Sequence, residues 1–204
     1  IDGSTGYGDN NTVQYNWVGI NSSSVAAGNA DDGILISEDT DNNVIRYNVV
    51  GSNTGDGIVI RNTGSTNNWV YGNIVGLAAD GVTVRANADN GIHLYGDASN
   101  NLIGSNQDGS NDAAEANIVS GNAKSGIAIA TTGGGNTILG NRVYGNTLLG
   151  IDLGTTGVTA NDTGDADTGA NDLQNYPFLA TAITNGVGSL VITGTLNSTA
   201  NSYY

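Results

Sequence analysis

The sequence predicts an all-β fold, a parallel β-helix in which short strands stack coil upon coil, and three observations predict it. The 204 residues contain 32 glycines and 30 asparagines against a single proline. Two short motifs recur with a basic interval of 24 residues, as between Gly33 and Gly57. Within them, apolar residues alternate over runs of about three to six residues that Gly, Asn, Asp and Ser interrupt. Glycine and asparagine tolerate the left-handed backbone of sharp corners, so such a unit is typical of one coil of a solenoid.

Both motifs occur five times. The first opens with a Gly-Asn or an Asn-Asn pair and begins at Asn10, Asn42, Asn67, Asn100 and Gly135. The second reads Gly-Ile-x-Ile or Gly-Ile-x-Leu and begins at Gly33, Gly57, Gly91, Gly126 and Gly150. Residues 117–122 look like an additional copy of the first motif, which leaves the register of the fourth unit open. We therefore predict about five to seven coils.

Stacking explains which residues recur, because equivalent residues of successive coils lie one strand spacing, about 4.8 Å, apart. One predicted inward aliphatic column consists of Val13, Ile45, Val70, Ile103 and Ile138. Two polar columns are predicted asparagine ladders, in which each side-chain amide donates to the next. They consist of Asn11, Asn43, Asn68, Asn101 and Asn136, and of Asn16, Asn48, Asn73, Asn106 and Asn141. The asparagines are thus mainly structural.

Composition and charge exclude several classes of protein. The formal net charge is −14, from five Lys and Arg against 19 Asp and Glu. Nucleic acid is therefore a poor partner, because its binding requires cations that displace phosphate counterions. There is no long apolar run, so no membrane span is expected. With no cysteine, a disulfide framework and a thiolate zinc site are excluded.

The motifs resemble the right-handed parallel β-helix repeats of large bacterial secreted and cell-surface proteins. The resemblance covers roughly residues 10–180, and it is closest in residues 117–127 and 150–154. It implies a right-handed helix and an extracellular or cell-surface bacterial setting. The same coil carries both adhesin-like stalks and polysaccharide-cleaving enzymes, so the resemblance is specific for the fold and only weakly specific for the function.

The pattern changes after Pro177, and we divide the chain into a β-helix over residues 1–180 and a C-terminal β segment over residues 181–204. Residues 189–196 alternate as a strand without an asparagine ladder. This segment either caps the helix or begins a β-sandwich module, and we favour the module.

The outward positions give little support to catalysis. In the second motif they are Leu35, Val59, His93, Ala128 and Asp152, and in the first they are Gln14, Arg46, Tyr71, Gly104 and Leu139. Neither row stacks two carboxylates, which a hydrolase needs within about 5–10 Å. His93 is the single histidine and is expected to be an exposed polar residue; as a catalyst it would need an orienting partner, for which Asp152, two coils away, is the candidate.

We therefore expect a non-enzymatic structural or adhesive segment. The alternatives are a polysaccharide lyase or glycoside hydrolase that draws its acids from loops, and a carbohydrate-binding β-helix. For the last, the aromatic residues offer a platform for sugar rings, although such residues more often fill corners. They are Tyr15, Trp17, Tyr47, Trp69 and Tyr71. The expected partner is an extracellular glycan or matrix.

The strongest candidate for a ligand site is the acidic stretch 161–172. Asp162, Asp165, Asp167 and Asp172 stand among Gly and Thr. Calcium takes six to eight oxygen ligands from carboxylates, amides and carbonyls, so these four residues are a predicted calcium site. The spacing is not that of an EF-hand, and the alternative is an acidic, solvated capping loop.

Two further expectations follow from the repeat. The insertions at residues 20–32 and 77–90 lie between the same two strands of their coils, so they should emerge on one side of the helix. The open ends of a β-helix present unpaired strand edges, so end-to-end self-association is a further possibility. The charge of −14 opposes close approach at low salt, and screening relieves that.

Overall fold

The computed structural model describes residues 1–6, 8–130, 132–184 and 186–198. In chain order its strands are β1 (Thr12–Gln14), β2 (Trp17–Val18), β3 (Ile34–Ser37), β4 (Val44–Arg46), β5 (Val49–Val50), β6 (Ile58–Arg61), β7 (Trp69–Tyr71), β8 (Ile74–Val75), β9 (Ile92–Tyr95), β10 (Leu102–Gly104), β11 (Ile118–Ser120), β12 (Ile127–Ile129), β13 (Thr137–Leu139), β14 (Arg142–Tyr144), β15 (Ile151–Leu153), β16 (Phe178–Thr184) and β17 (Leu190–Thr195). A short helix, α1 (Asp112–Glu115), lies between β10 and β11, and a 3-10 turn spans Ala170–Leu173. In the described part of the chain, no helix has the length and apolarity needed to cross a membrane.

The first fifteen strands form three parallel sheets of five strands, and each coil gives one strand to each sheet. The first sheet has the order β1-β4-β7-β10-β13, the second β2-β5-β8-β11-β14 and the third β3-β6-β9-β12-β15. This is a right-handed parallel β-helix of five coils, as the sequence predicts, and five is the lower bound of the predicted number.

The aliphatic interior follows the predicted columns. In the first sheet Val13 pairs with Ile45, Ile45 with Val70, Val70 with Ile103, and Ile103 with Ile138. The three central members have no exposed surface, whereas Val13 and Ile138 in the outer coils are partly buried. The glycine of the second motif is required by close stacking, since a Cβ on Gly57 would lie 2.5 Å from the carbonyl oxygen of Gly91.

The first predicted asparagine ladder is confirmed from Asn43 to Asn136, and Asn11 joins it only through its backbone N–H, which donates to Asn43 Oδ1 at 2.8 Å. Asn43 Nδ2 donates to Asn68 Oδ1 at 3.0 Å, and Asn68 Nδ2 donates to Asn101 Oδ1 at 3.0 Å. The amides of Asn68, Asn101 and Asn136 also donate to backbone carbonyls, as Asn68 does to Thr40 at 2.9 Å. A sixth rung, Asn171, accepts from the backbone N–H of Asn136 at 2.7 Å, so the segment after the last coil continues this ladder.

The second predicted ladder is correct except at its fourth rung, where the prediction of Asn106 is wrong. Asn73 Nδ2 donates to Asn117 Oδ1 at 2.9 Å, and Asn117 Nδ2 donates to Asn141 Oδ1 at 2.8 Å. Asn106 is exposed in the insertion that contains α1. The chain leaves the coil after β10 and returns only at β11, so residues 117–122 complete the fourth coil and do not form an extra one.

A third ladder at the corner before the third sheet was not predicted. Its rungs are Asn29, Asn53, Asn87, Asn122 and Asn146. Each of these residues stands four positions before the glycine of the second motif. That constant offset is the sequence signal that would have identified the ladder.

The two large insertions emerge on one side of the helix. Arg85 in residues 77–90 donates from Nε to the backbone oxygen of Ser24 in residues 20–32, at 2.6 Å. The second coil has only a short connection at Gly51 and Ser52, and this leaves the space across which the two loops meet.

The region after the last coil is built differently. Residues 157–177, which we call the strap, cross the end of the helix, and Ala170 within them joins the buried core. The strap leads into an antiparallel hairpin of β16 and β17, and every residue of these two strands is exposed. The predicted boundary after residue 180 falls inside β16, and the prediction for residues 181–204 extends from Thr199 onward outside the described residues.

Candidate functional site

Three of the four predicted calcium ligands come together in the strap. Asp162, Asp165 and Asp167 each offer a carboxylate oxygen, and these oxygens lie within 4.8 Å of one another. Asn175 holds the loop closed, because its Nδ2 donates to the carbonyl of Asp162 at 2.9 Å and its backbone N–H donates to Asp165 Oδ1 at 2.8 Å. Asp172 is outside this group and faces a neighbouring cleft.

The electrostatics of this group favour a cation. Desolvation raises the pKa of Asp167, and the negative charges of Asp162 and Asp165 raise that pKa further. The Oδ1 atom of Asp167 is buried and, within the described structure, has no hydrogen-bond partner. A hard cation such as Ca²⁺ would relieve the repulsion and satisfy this oxygen. The donor set of three carboxylates therefore fits calcium.

A cleft of about 1040 Å³ lies between the last coil and the strap. Its walls are half-buried aliphatic side chains of the last coil and polar side chains of the strap. The aliphatic wall includes Ile138, Ile151 and Leu153, and the polar wall includes Asp165, Asp167 and Asp172. The cleft exists because the last coil has no further coil stacked on it, while the strap covers only part of its interior.

His93 has a partner that the sequence analysis missed. Its Nδ1 lies 2.8 Å from Asp56 Oδ2, and Asp56 belongs to the preceding coil. Asp152, the predicted orienting residue, bonds elsewhere: its Oδ2 accepts from Ser125 Oγ at 3.1 Å. Asp56 directly precedes the glycine of its second motif, and reading that position along with the outward positions would have identified the pair.

In the second, third and fourth coils, the position before the motif glycine forms a buried polar column of Asp56, Asn90 and Ser125 that links the coils. Asn90 donates from its backbone N–H and from Nδ2 to Asp56 Oδ1, at 2.7 and 2.9 Å. Asn90 Oδ1 in turn accepts from the backbone N–H of Ser125 at 3.1 Å. Burial acts to raise the pKa of Asp56, but the hydrogen bond and charge of His93 and the bonds from Asn90 together hold that pKa below its ordinary value.

The predicted outward row of the third sheet shares one register, yet most of it is covered. Val59, Ala128 and Asp152 are buried, and the side chain of His93 is only 19% exposed. The carboxylates nearest to this row, on Asp56 and Asp152, accept hydrogen bonds from neighbouring coils. Their geometry is therefore that of cross-coil links.

Aromatic side chains cluster at the corner between the first and second sheets. The Tyr15 and Tyr47 rings stack with centroids 5.4 Å apart and an interplanar angle of 16°, and Tyr71 packs edge-on against Tyr47. Trp69 lies 4.2 Å from Tyr71. Arg46 crosses this cluster, donating from Nη1 to the Tyr71 hydroxyl at 2.7 Å.

Comparison of the chain with protein-family models, with curated proteins and with solved structures gives no match.

Proposed function

We propose that this chain is a non-enzymatic, structural or adhesive β-helix segment of a bacterial extracellular or cell-surface protein. The observation that carries the proposal is the set of three asparagine ladders, which run through all five coils around an aliphatic core. Such continuity gives a stiff rod, because each coil is bonded to both neighbours along three corners and three sheets.

The placement of the acidic residues also supports a scaffold. Asp56 and Asp152 are more than nine-tenths buried and hold neighbouring coils together. A catalytic carboxylate must instead reach a bound substrate, at hydrogen-bond distance or through one water. The extracellular setting rests on the resemblance of the repeats alone.

Activity screens separate the scaffold from the enzymatic alternative. Purified protein is incubated with pectin, alginate and other acidic glycans, and reducing ends and unsaturated products are measured. We expect no turnover above that of heat-denatured protein. Turnover that is abolished in Asp56→Asn or His93→Ala, while circular dichroism shows the fold retained, would establish an enzyme and overturn the proposal.

A second candidate function is glycan binding at the aromatic cluster, and backbone geometry favours it. Tyr15 and Tyr47 adopt left-handed conformations, with φ of 57° and 54°, where the next coil has Gly72. A non-glycine residue in the left-handed conformation costs about 1–2 kcal/mol, which glycine would avoid. We infer that the interactions of the tyrosine rings offset this backbone cost. Tyr15 is 68% exposed and Trp17 is 41% exposed, which leaves open faces for sugar rings.

Affinity electrophoresis in gels that contain a panel of polysaccharides tests this function. We expect retardation that Tyr15→Ala/Trp17→Ala abolishes. Tyr144→Ala is the matched control, since Tyr144 is also exposed (53%) but lies outside the cluster. Equal retardation of both variants would exclude the aromatic cluster as the binding surface.

Calcium binding by Asp162, Asp165 and Asp167 is a third proposal, without Asp172, which lies outside their group. Calcium at millimolar concentration is expected to raise the melting temperature, because a ligand that binds only the folded state stabilises it. Asp162→Asn/Asp167→Asn should remove the rise, and Asp31→Asn/Asp108→Asn should keep it. No rise in the unmodified protein would exclude the site.

End-to-end self-association is proposed through the outer edges of β13 and β14, each of which pairs with a strand on one side only. Because the chain carries −14 charges, sedimentation velocity should show larger species at 0.5 M salt than at 0.05 M. A mass that does not change with salt or protein concentration would contradict this.

A further inference from the structure

The cleft at the end of the helix opens onto the aliphatic interior of the solenoid. Ile151 is the last member of the column that contains Ile58, Ile92 and Ile127. The other three have no exposed surface, whereas Ile151 is 47% exposed. Ile138 and Leu153 end their own columns in the same way, partly buried beside the cleft. The cleft thus has an apolar wall that a ligand can cover.

The opposite wall is acidic. Asp165, Asp167 and Asp172 line the cleft, and the described lining residues include no Lys, Arg or His. The apolar wall and the carboxylates therefore face the same cavity, which has a volume of about 1040 Å³. This volume is close to the upper end of the range of about 300–1,000 Å³ that is usual for small-molecule sites.

The conformation of the strap holds these two walls at a fixed separation. Asn171, Asp172 and Leu173 have consecutive left-handed conformations, with φ of 51°, 58° and 50°. Such a run of non-glycine residues is unfavourable and persists only when surrounding contacts enforce it. Asn171 is held by the last ladder rung, Asn136, and Leu173 packs against the core. Between them, Asp172 is kept at the cleft wall.

We propose that this cleft binds an aliphatic ammonium ion, a hydrocarbon chain that ends in a positively charged amine. The hydrocarbon chain would cover Ile151 and the partly buried Ile138 and Leu153, and the ammonium group would lie against Asp167 and Asp172. A free alkylamine and the lysine side chain of a peptide share this chemistry. The inference is independent of the scaffold role.

Isothermal titration calorimetry of the full chain in 1 mM EDTA tests the proposal with three probes of one chain length. We expect octylamine to bind about tenfold or more tightly than 1-octanol, which corresponds to about 1.4 kcal/mol, and octanoate not to bind. Equal affinity for the amine and the alcohol, or binding of the carboxylate, would overturn the proposal.

The peptide acetyl-Leu-Lys-Leu-amide, compared with its norleucine analogue, decides whether a lysine side chain is accepted: binding of the lysine peptide alone assigns the site to peptides, and binding of octylamine alone assigns it to free amines.

Two variants locate the binding. Asp167→Asn/Asp172→Asn should lower octylamine affinity to that of the alcohol, whereas Asp31→Asn/Asp108→Asn makes the same charge change on exposed loop residues and should leave it unchanged. Ile151→Ser should weaken octylamine and octanol together. If both acidic double variants lower the affinity equally, general charge attraction explains the binding and the site is refuted. Glycan retention and the absence of turnover are measured separately, so failure here leaves the scaffold proposal standing.

Discussion

The asparagine ladders of the five coils and the acidic group of the strap differ in how their buried polar atoms are satisfied. In the coils, a buried amide such as that of Asn73 bonds to an equivalent amide one coil away and to backbone carbonyls of its own surroundings. In the strap, Asp167 has a buried oxygen without a partner in the described structure and lies beside two other carboxylates. The ladders therefore make amide groups part of the scaffold, and the strap leaves a carboxylate oxygen available for a ligand. In the described part of the coils, Arg61 Nε and Asp152 Oδ1 are also buried without a hydrogen-bond partner.

The same contrast holds for apolar residues. An apolar side chain in a central coil is covered on both sides by the equivalent side chains of the neighbouring coils. The repeat alone provides this burial. At the last coil one covering residue is missing, and the strap supplies only Ala170 and Leu173 in its place. Stability should thus be concentrated in the central coils, and ligand chemistry at their end.

The largest predicted effect is the loss of a central ladder rung. Asn68→Ala removes the acceptor of Asn43 and the donor to Thr40 and Asn101. Each buried group that loses its partner costs about 1–3 kcal/mol, so we expect the free energy of unfolding in urea to fall by about 3–6 kcal/mol. Asn11→Ala is the control, because Asn11 is exposed and its side chain bonds only to Asp9. Equal losses in both variants would show that the ladder does not act as a unit.

A somewhat smaller effect is expected within one aliphatic column. Ile92→Ala creates a cavity at a position with no exposed surface and should cost about 2–5 kcal/mol. Ile151→Ala, at the exposed end of the same column, should cost less than about 1.5 kcal/mol because water already reaches the side chain. Urea unfolding of the two variants gives both values. If Ile151→Ala proves the more destabilising, the cleft is closed in solution.

The contributions of Asp56 in the coils and of Asp167 in the strap to the pH dependence of stability should have opposite signs. The folded-state pKa of Asp56 is lowered, so its contribution is present above the ordinary value of 3.8 and is lost as pH falls through the lower folded value. The folded-state pKa of Asp167 is raised, so ionisation there weakens folding as pH rises from 3.8 through the higher folded value.

Denaturation midpoints between pH 2 and pH 6 test both signs. Relative to the unmodified protein, Asp56→Asn should reduce the loss of stability at acid pH. Asp167→Asn should increase the amount by which the protein is more stable near pH 6 than at pH 3. If the profiles of both variants match that of the unmodified protein, the predicted difference in sign is wrong.

Much of the fold could be predicted because the repeat gives two independent signals, the spacing of the motifs and the residue types within them. The inward column of Ile45, Val70 and Ile103 is readable from period-two alternation alone. The third ladder was equally readable from its constant offset, but its sequence context varies more than that of the Asn-Asn pairs. The helix α1 gave no periodic signal, since four residues are too few for one.

The sites were less accessible to sequence reasoning, because they depend on contacts between different coils. His93 and Asp56 are 37 residues apart in the chain but meet across one strand spacing. The acidic stretch could be recognised by composition, yet only the fold separates Asp172 from the other three acids. The cleft has no sequence signal at all, since it results from a coil that is not stacked.

The smallest predicted effect tests the register of the fourth coil, where the interrupted and the regular parts of the chain meet. Asn106→Ala should change the free energy of unfolding by no more than about 0.5 kcal/mol, as is usual for exposed loop positions. Asn117→Ala should instead cost about 3 kcal/mol, because Asn117 accepts from Asn73 and donates to Asn141 and to the carbonyl of Val70. The two substitutions are chemically identical and only 11 residues apart, so their difference reports which asparagine is the rung. A larger loss at Asn106 would restore the register that the spacing of the first motif suggests and would place residues 117–122 outside the ladder.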